Sequence, residues 1–98
     1  MVWEIAKIEI DPSNSEAFEN ALREAVPLFR RAPGCRAMQV RHSLKHPHRY
    51  FLVVDWDTVD DHLVGFRNSP DFARWRELVG GFFARPPEVE HAARLDLG

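Results

Sequence analysis

The stretch DDHLVGFRNSPDF, residues 60–72, places His62 one turn before Phe66 and beside Leu63, on the apolar side of a short helix. An imidazole in that position has two uses. It can sit in the core, satisfied by a backbone carbonyl, or stand at the wall of a pocket as a proton acceptor. The second use suits it chemically, because an ordinary histidine pKa of about 6.5 leaves the ring neutral near pH 7. A second histidine, His91, lies in the terminal segment EVEHAARLDL. Trp3, Trp56, Trp75, Phe66, Phe72, Phe82 and Phe83 are many large rings for 98 residues. Taken singly they read as core. Together they could line a cleft between a sheet and its helices, the usual kind of place for an apolar ligand.

Other chemistries find less support. His46 and His48 in KHPHR have a spacing that occurs in metal sites, and His42 on the adjoining strand could complete a trio. They belong to a hairpin turn without a nearby acidic or thiol ligand, whereas metal centres need three or four converging ligands with outer partners. A solvated turn and no metal is the expectation. No glycine-rich phosphate loop is present, and neither a Gly-x-Ser-x-Gly elbow nor a Cys–His spacing suggests a covalent nucleophile. Cys35, the single cysteine, reads as a small hydrophobe and cannot form an internal disulfide.

These residues need elements to position them. Val2 to Ile10 is rich in Ile, Val and Trp and predicts a strand. DPSNSE ends it, and Ser13 with Glu16 fits a capping box. Phe18, Ala21, Leu22, Ala25, Val26 and Phe29 then recur at helical spacing, with Pro27 predicting a kink or an early end. CRAMQVRHSL reads as a strand with Met38, Val40 and Leu44 on one face, and RYFLVVDWD as the next. The latter is apolar on both faces: Tyr50, Leu52, Val54 and Trp56 on one, Phe51 and Val53 on the other. Thr58 with Asp61 caps the helix that carries His62, and Ser69 with Pro70 opens another bearing Phe72, Trp75, Val79 and Phe82. In the last segment Val89, His91, Ala93, Leu95 and Leu97 alternate with Glu88, Glu90, Ala92, Arg94 and Asp96.

The order strand, helix, strand, strand, paired helices, strand is the α+β, ferredoxin-like split βαβ arrangement, with a four-stranded antiparallel sheet and the first and third strands central. A strand apolar on both faces must be covered on both. Helices cover one, so the other is expected to pack against a second copy of the chain. Length allows one domain, residues 1–98. A ferredoxin-like sheet can bind RNA, but RYFLVVDW lacks both small residues of the RNA-recognition signature and has Val53 where the stacking Phe belongs. The formal net charge is −2 with mixed signs, which also argues against nucleic acid. No stretch approaches the roughly 20 apolar residues of a membrane span, and no signal-peptide core is visible, so a cytoplasmic location is expected.

The chain resembles the antibiotic biosynthesis monooxygenase family of dimeric α+β barrels. The resemblance is carried by PGC at Pro33 to Cys35, Trp56 ending the third strand, His62, Phe66, SPDF at Ser69 to Phe72, and PPEVEH at Pro86 to His91. It implies a homodimer with sheets packed face to face and one pocket per subunit. Activities in the family include oxidation of anthrones and quinols by molecular oxygen without flavin, haem or metal. Relatives that degrade haem carry Trp where this chain has Phe66, an iron-ligating His where it has Arg76, and an Asn in the first strand that is missing here. Many relatives also carry a carboxylate two residues before the strand-ending Trp. Here that place is Val54, and alternation turns neighbouring Asp55 to the opposite face.

The resulting expectation is a cofactor-independent monooxygenase acting on a quinol- or anthrone-like compound. His62 would be the base or the hydrogen-bond anchor for a substrate hydroxyl. Phe66, Phe72 and Trp75 would form walls, Trp56 wall or core support, and His91 would reach the same cavity or the dimer contact. Two other classes use the same pocket: a non-catalytic or regulatory small-molecule-binding dimer, and an acid–base isomerase that needs no oxygen.

Overall fold

Four strands and two main helices position the site in the computed structural model, which describes all residues, Met1–Gly98. Strand β1 is Val2–Glu9, helix α1 Ser15–Arg30, β2 Cys35–His42, β3 Arg49–Trp56, helix α2 Pro70–Val79 and β4 Glu88–Ala93. The sheet order is β2-β3-β1-β4, every pairing antiparallel, so β1 and β3 are central as the sequence order requires. This is the ferredoxin-like α+β fold.

Along β3 alternate residues Tyr50, Leu52, Val54 and Trp56 are buried beneath the helices, joined from β1 by Ala6 and Ile8. Phe18, Leu22, Ala25 and Phe29 from α1, with Trp75 and Val79 from α2, close that core. The opposite face of the sheet has no helix over it. There Phe51 and Val53 are half-buried and Trp3 is exposed.

Several local expectations are corrected. Pro27 lies inside α1, which continues to Arg30 rather than ending early. One missing N–H costs little where the helix buries Leu28 and Phe29 on either side of its last turn. The capping box at Ser13 and Glu16 does not form. Asp11 instead accepts hydrogen bonds from the Ser13 amide and hydroxyl, at 3.0 and 2.9 Å, capping a 3₁₀ turn at Pro12–Asn14 that precedes α1. Leu44 lies beyond the end of β2 in the exposed hairpin turn, and Leu95 and Leu97 lie past β4, also exposed. The helix carrying His62 is a π-helical turn, Asp61–Phe66, closed by the Arg67 amide donating to the His62 carbonyl at 3.1 Å.

The expected caps flank that turn. Thr58 and Asp61 exchange reciprocal backbone-to-side-chain bonds at 3.1 Å, and Ser69 Oγ accepts from the Phe72 amide at 3.2 Å. Gly34 makes room for the turn. Its φ is +84°, and a Cβ there would run into the Asp61 carboxyl.

Candidate functional site

Parity along β1 places Glu4 on the same face as Ala6 and Ile8, under the helices. Its register partners are Val54 on β3 and His91 on β4. Glu4 is 4% exposed, and His62 delivered by the π turn is 3% exposed. The two meet, with His62 Nε2 3.3 Å from Glu4 Oε1. The same oxygen accepts a 2.9 Å hydrogen bond from Trp56 Nε1–H. The other ring nitrogen of His62, Nδ1, lies 2.9 Å from His91 Nε2. The Trp56 and His62 rings stack nearly parallel, 14° apart with centroids at 5.5 Å.

Indole N–H only donates and a carboxylate oxygen accepts, so the direction of the Trp56–Glu4 bond is fixed. His62 Nε2 makes a close polar contact with the same oxygen, and the direction of the His62–His91 bond follows the tautomers of the two rings.

Burial pushes the two ionisable members in opposite directions. Desolvation raises the Glu4 pKa above its ordinary 4.5, and the Trp56 hydrogen bond and the charge of Arg67 offset only part of that rise. Desolvation lowers His62 to about 4, helped by the charges of Arg67 and His91, so its ring is neutral at pH 7. Burial thus disfavours the charged form of both members of the pair.

A cavity of about 720 Å³ opens over this pair, between the sheet, α2 and the segment leading to β4. Glu4 and His62 line it together with apolar Ile8, Leu52, Phe72, Trp75, Phe83 and Val89. Arg67, Arg76 and Arg85 complete the polar part of the wall. Its size is in the range of pockets that enclose small organic ligands, roughly 300–1,000 Å³.

Of the residues singled out in the sequence, His62, Phe72 and Trp75 line this cavity. Phe66 and Trp56 lie behind its wall in the core, packed on each other with ring centroids 5.6 Å apart. His91 is half-buried and contacts His62 rather than the cavity. Glu4 and the three arginines were not anticipated. Glu4 had one legible signal, its parity with Ala6 and Ile8. Glu4 is the register partner of Val54, the residue two before the strand-ending Trp56. The hairpin histidines are otherwise employed. His42 stacks on Tyr50 and its Nε2 lies 2.7 Å from the Pro47 carbonyl. Burial pushes the Cys35 thiol pKa up, as for an inert packing residue.

The chain is a ferredoxin-like α+β protein with a polar dyad in the wall of a largely apolar cavity. The sequence matches the antibiotic biosynthesis monooxygenase family over residues 1–78, and the chain belongs to that family. It is 34% identical over 91 residues to the uncharacterized protein YczJ of Bacillus subtilis, covering 93% of this chain and 96% of that protein. The crystal structure of a candidate antibiotic biosynthesis monooxygenase from Bordetella bronchiseptica is similar at a TM-score of 0.93 and 48% identity, covering 96% of each chain. A similarly described protein from Nitrosomonas europaea shares the fold at a TM-score of 0.84 and 23% identity, covering 98% of this chain and all of that one. No helix of the chain is long and apolar enough to cross a membrane.

Proposed function

We propose that the chain is a cofactor-independent monooxygenase that oxidises a quinol- or anthrone-like aromatic compound with molecular oxygen. The observation that carries this reading is the buried Glu4–His62 pair at the foot of an aromatic cavity. Substrates of this class are poor reductants when protonated and good ones as anions. The pair takes the hydroxyl or ring proton, Glu4 as an acceptor whose affinity for a proton burial has raised and His62 in polar contact with it at 3.3 Å. The substrate anion supplies both electron pairs. One oxygen atom becomes the new carbonyl and the other leaves as water. Phe72 and Trp75 hold the ring and keep bulk water from the reacting centre.

The active species in this reading is a homodimer. The sheet face bearing Trp3, Ile5, Phe51 and Val53 has no helix over it, and leaving it wet costs several kcal/mol at roughly 25 cal/mol per Å² of apolar surface. Light scattering at micromolar concentration should give twice the chain mass, and a monomer mass would defeat this part of the reading.

The test of activity is oxygen uptake by metal-stripped protein with a panel of hydroquinones and anthrones, beside Glu4→Gln and His62→Ala. Uptake above autoxidation that both variants lose supports the oxygenase. Turnover without oxygen consumption moves the protein to the acid–base isomerases, and binding without any product to the ligand-binding modules.

A further inference from the structure

The cavity differs in charge from the chain that encloses it. The sequence has 13 Lys and Arg against 15 Asp and Glu. The cavity wall, by contrast, has three arginines and one carboxylate, Glu4. Arg85 is engaged by Glu9 at 3.2 Å. Arg67 and Arg76 are different. The ion pairs of the structure employ Lys7, Arg31, Arg36, Arg49, His62, Arg74 and Arg85, and neither Arg67 nor Arg76 has a carboxylate within 4.0 Å. Neither donates a side-chain hydrogen bond within the chain, although four other arginines do so to a carboxylate.

The two cavity-wall guanidiniums without an ion pair come from different elements, and both side chains reach solvent. Arg67 closes the π turn that carries His62, and Arg76 follows Trp75 on α2. Arg67 lies near enough to the dyad for its charge to act on both Glu4 and His62. Glu4 is not paired with it: no ion pair joins the two, and the partners of Glu4 Oε1 are Trp56 and His62. The cavity therefore has an apolar ring slot, a hydroxyl-binding dyad, and a positive wall without its anion. In a concave site with low-dielectric walls such a field concentrates anionic ligands.

We propose that the cavity selects an aromatic acid, with its ring against Phe72 and Trp75, a hydroxyl at Glu4 and His62, and a carboxylate on Arg67 and Arg76. The planar guanidinium fork matches a carboxylate in a way an ammonium does not. The proposal rests on reading this cavity as the substrate pocket, but it is tested by binding alone, so it can fail while oxygen uptake succeeds, and the reverse.

The probes are 6-hydroxy-2-naphthoate and 2-naphthol, which share a ring and a hydroxyl and differ in the carboxylate. Titration by calorimetry or ligand fluorescence should give the acid at least about tenfold tighter binding, the equivalent of about 1.4 kcal/mol. That advantage should shrink with added salt and vanish in Arg67→Gln/Arg76→Gln, while 2-naphthol binds parent and double variant alike. Arg74→Gln, on the exposed side of α2, should keep the preference. Equal binding of the two probes, no binding of either, an advantage that survives the double substitution, or one lost equally in Arg74→Gln would each overturn the proposal. Circular dichroism of each variant establishes that it is folded, and the single variants Arg67→Lys and Arg76→Lys replace the double variant if it is not. Each should lose part of the preference, and its full retention in both would overturn the proposal.

Discussion

Strand β1 buries two glutamates to nearly the same depth, Glu4 at 4% and Glu9 at 6% exposed, and the fold treats them in opposite ways. Glu9 meets cations. Arg49 lies 3.0 Å and Arg85 3.2 Å from its oxygens. Desolvation pushes the Glu9 pKa up, but the Arg49 hydrogen bond and the charges of Arg85, Arg49 and His48 outweigh it and hold the carboxyl below its ordinary range. Glu4 meets an indole and a neutral imidazole, and its pKa rises. Burial by itself therefore does not mark a working group. A carboxylate whose charge is fully compensated ties elements together, here β1 to β3 and to the segment before β4. One that is buried without a paired cation is held ready to take a proton.

The largest expected effect separates the two sites by activity. Glu4→Gln keeps an acceptor for Trp56 but removes the proton acceptor, and should cut steady-state oxygen uptake by about 10²–10⁴-fold, the usual worth of general-base help. Glu9→Gln should leave the rate near that of the parent and instead lower the melting temperature. The reverse pattern would exchange the roles assigned to the two carboxylates.

Stability against pH tests the same contrast with definite signs. The His62 pKa falls from 6.5 to about 4 on folding, so between those values the unfolded chain binds more protons. Stability should therefore decline as pH drops through that window, by up to about 3 kcal/mol. Glu4 acts oppositely. Its raised pKa costs stability as pH rises above the ordinary 4.5, and acidification relieves that cost. Glu9, with a lowered pKa, contributes stability that is present above 4.5 and lost as pH falls through its folded value. Urea denaturation from pH 7 to 4 should show the decline in the parent and a much flatter curve in His62→Gln. Identical curves would mean that folding leaves the His62 pKa unshifted.

A smaller effect is expected from the indole. Trp56→Phe keeps the ring stack and deletes the donor to Glu4, costing about 1–3 kcal/mol for a buried acceptor that loses its bond. The same change should move the Glu4 pKa further up, read from the carboxyl stretch by infrared titration. An unshifted Glu4 would show that the indole bond does not govern its acidity. The smallest change is His91→Phe. It removes a bond worth about 1 kcal/mol and a charge that lowers the His62 pKa. The His62 ring resonance should then titrate at higher pH, and a shift to lower pH would contradict the influence assigned to His91.

Local order was legible because it is written in neighbouring residues. Thr58 and Asp61, and Ser69 with Pro70, lie within one helical turn of what they cap, so their bonds follow from spacing alone. The buried parity of β3 follows from alternation over eight residues, and with the order of elements it determined the sheet. Of the two outcomes expected at Pro27, the early end did not occur, because burial of Leu28 and Phe29 in the last turn offsets the lost backbone bond. The Ser13 cap went astray because Asp11, two residues earlier, satisfies the same hydroxyl.

The site was legible only in part, for a reason of distance along the chain. Sequence alone determined that His62 would lie on an apolar surface between two caps, and that Phe72 and Trp75 would share a helix face. It also turned Glu4 inward, by parity with Ala6 and Ile8. Only the tertiary structure decided what Glu4 meets there. Trp56 lies 52 residues away along the chain, and antiparallel register sets Glu4 opposite both Val54 and His91. Acidity and basicity depend on desolvation and on charges brought close through space. For that reason the opposite shifts of Glu4 and His62, and the two unpaired arginines of the cavity wall, exist only once the sheet and α2 have closed over the cavity.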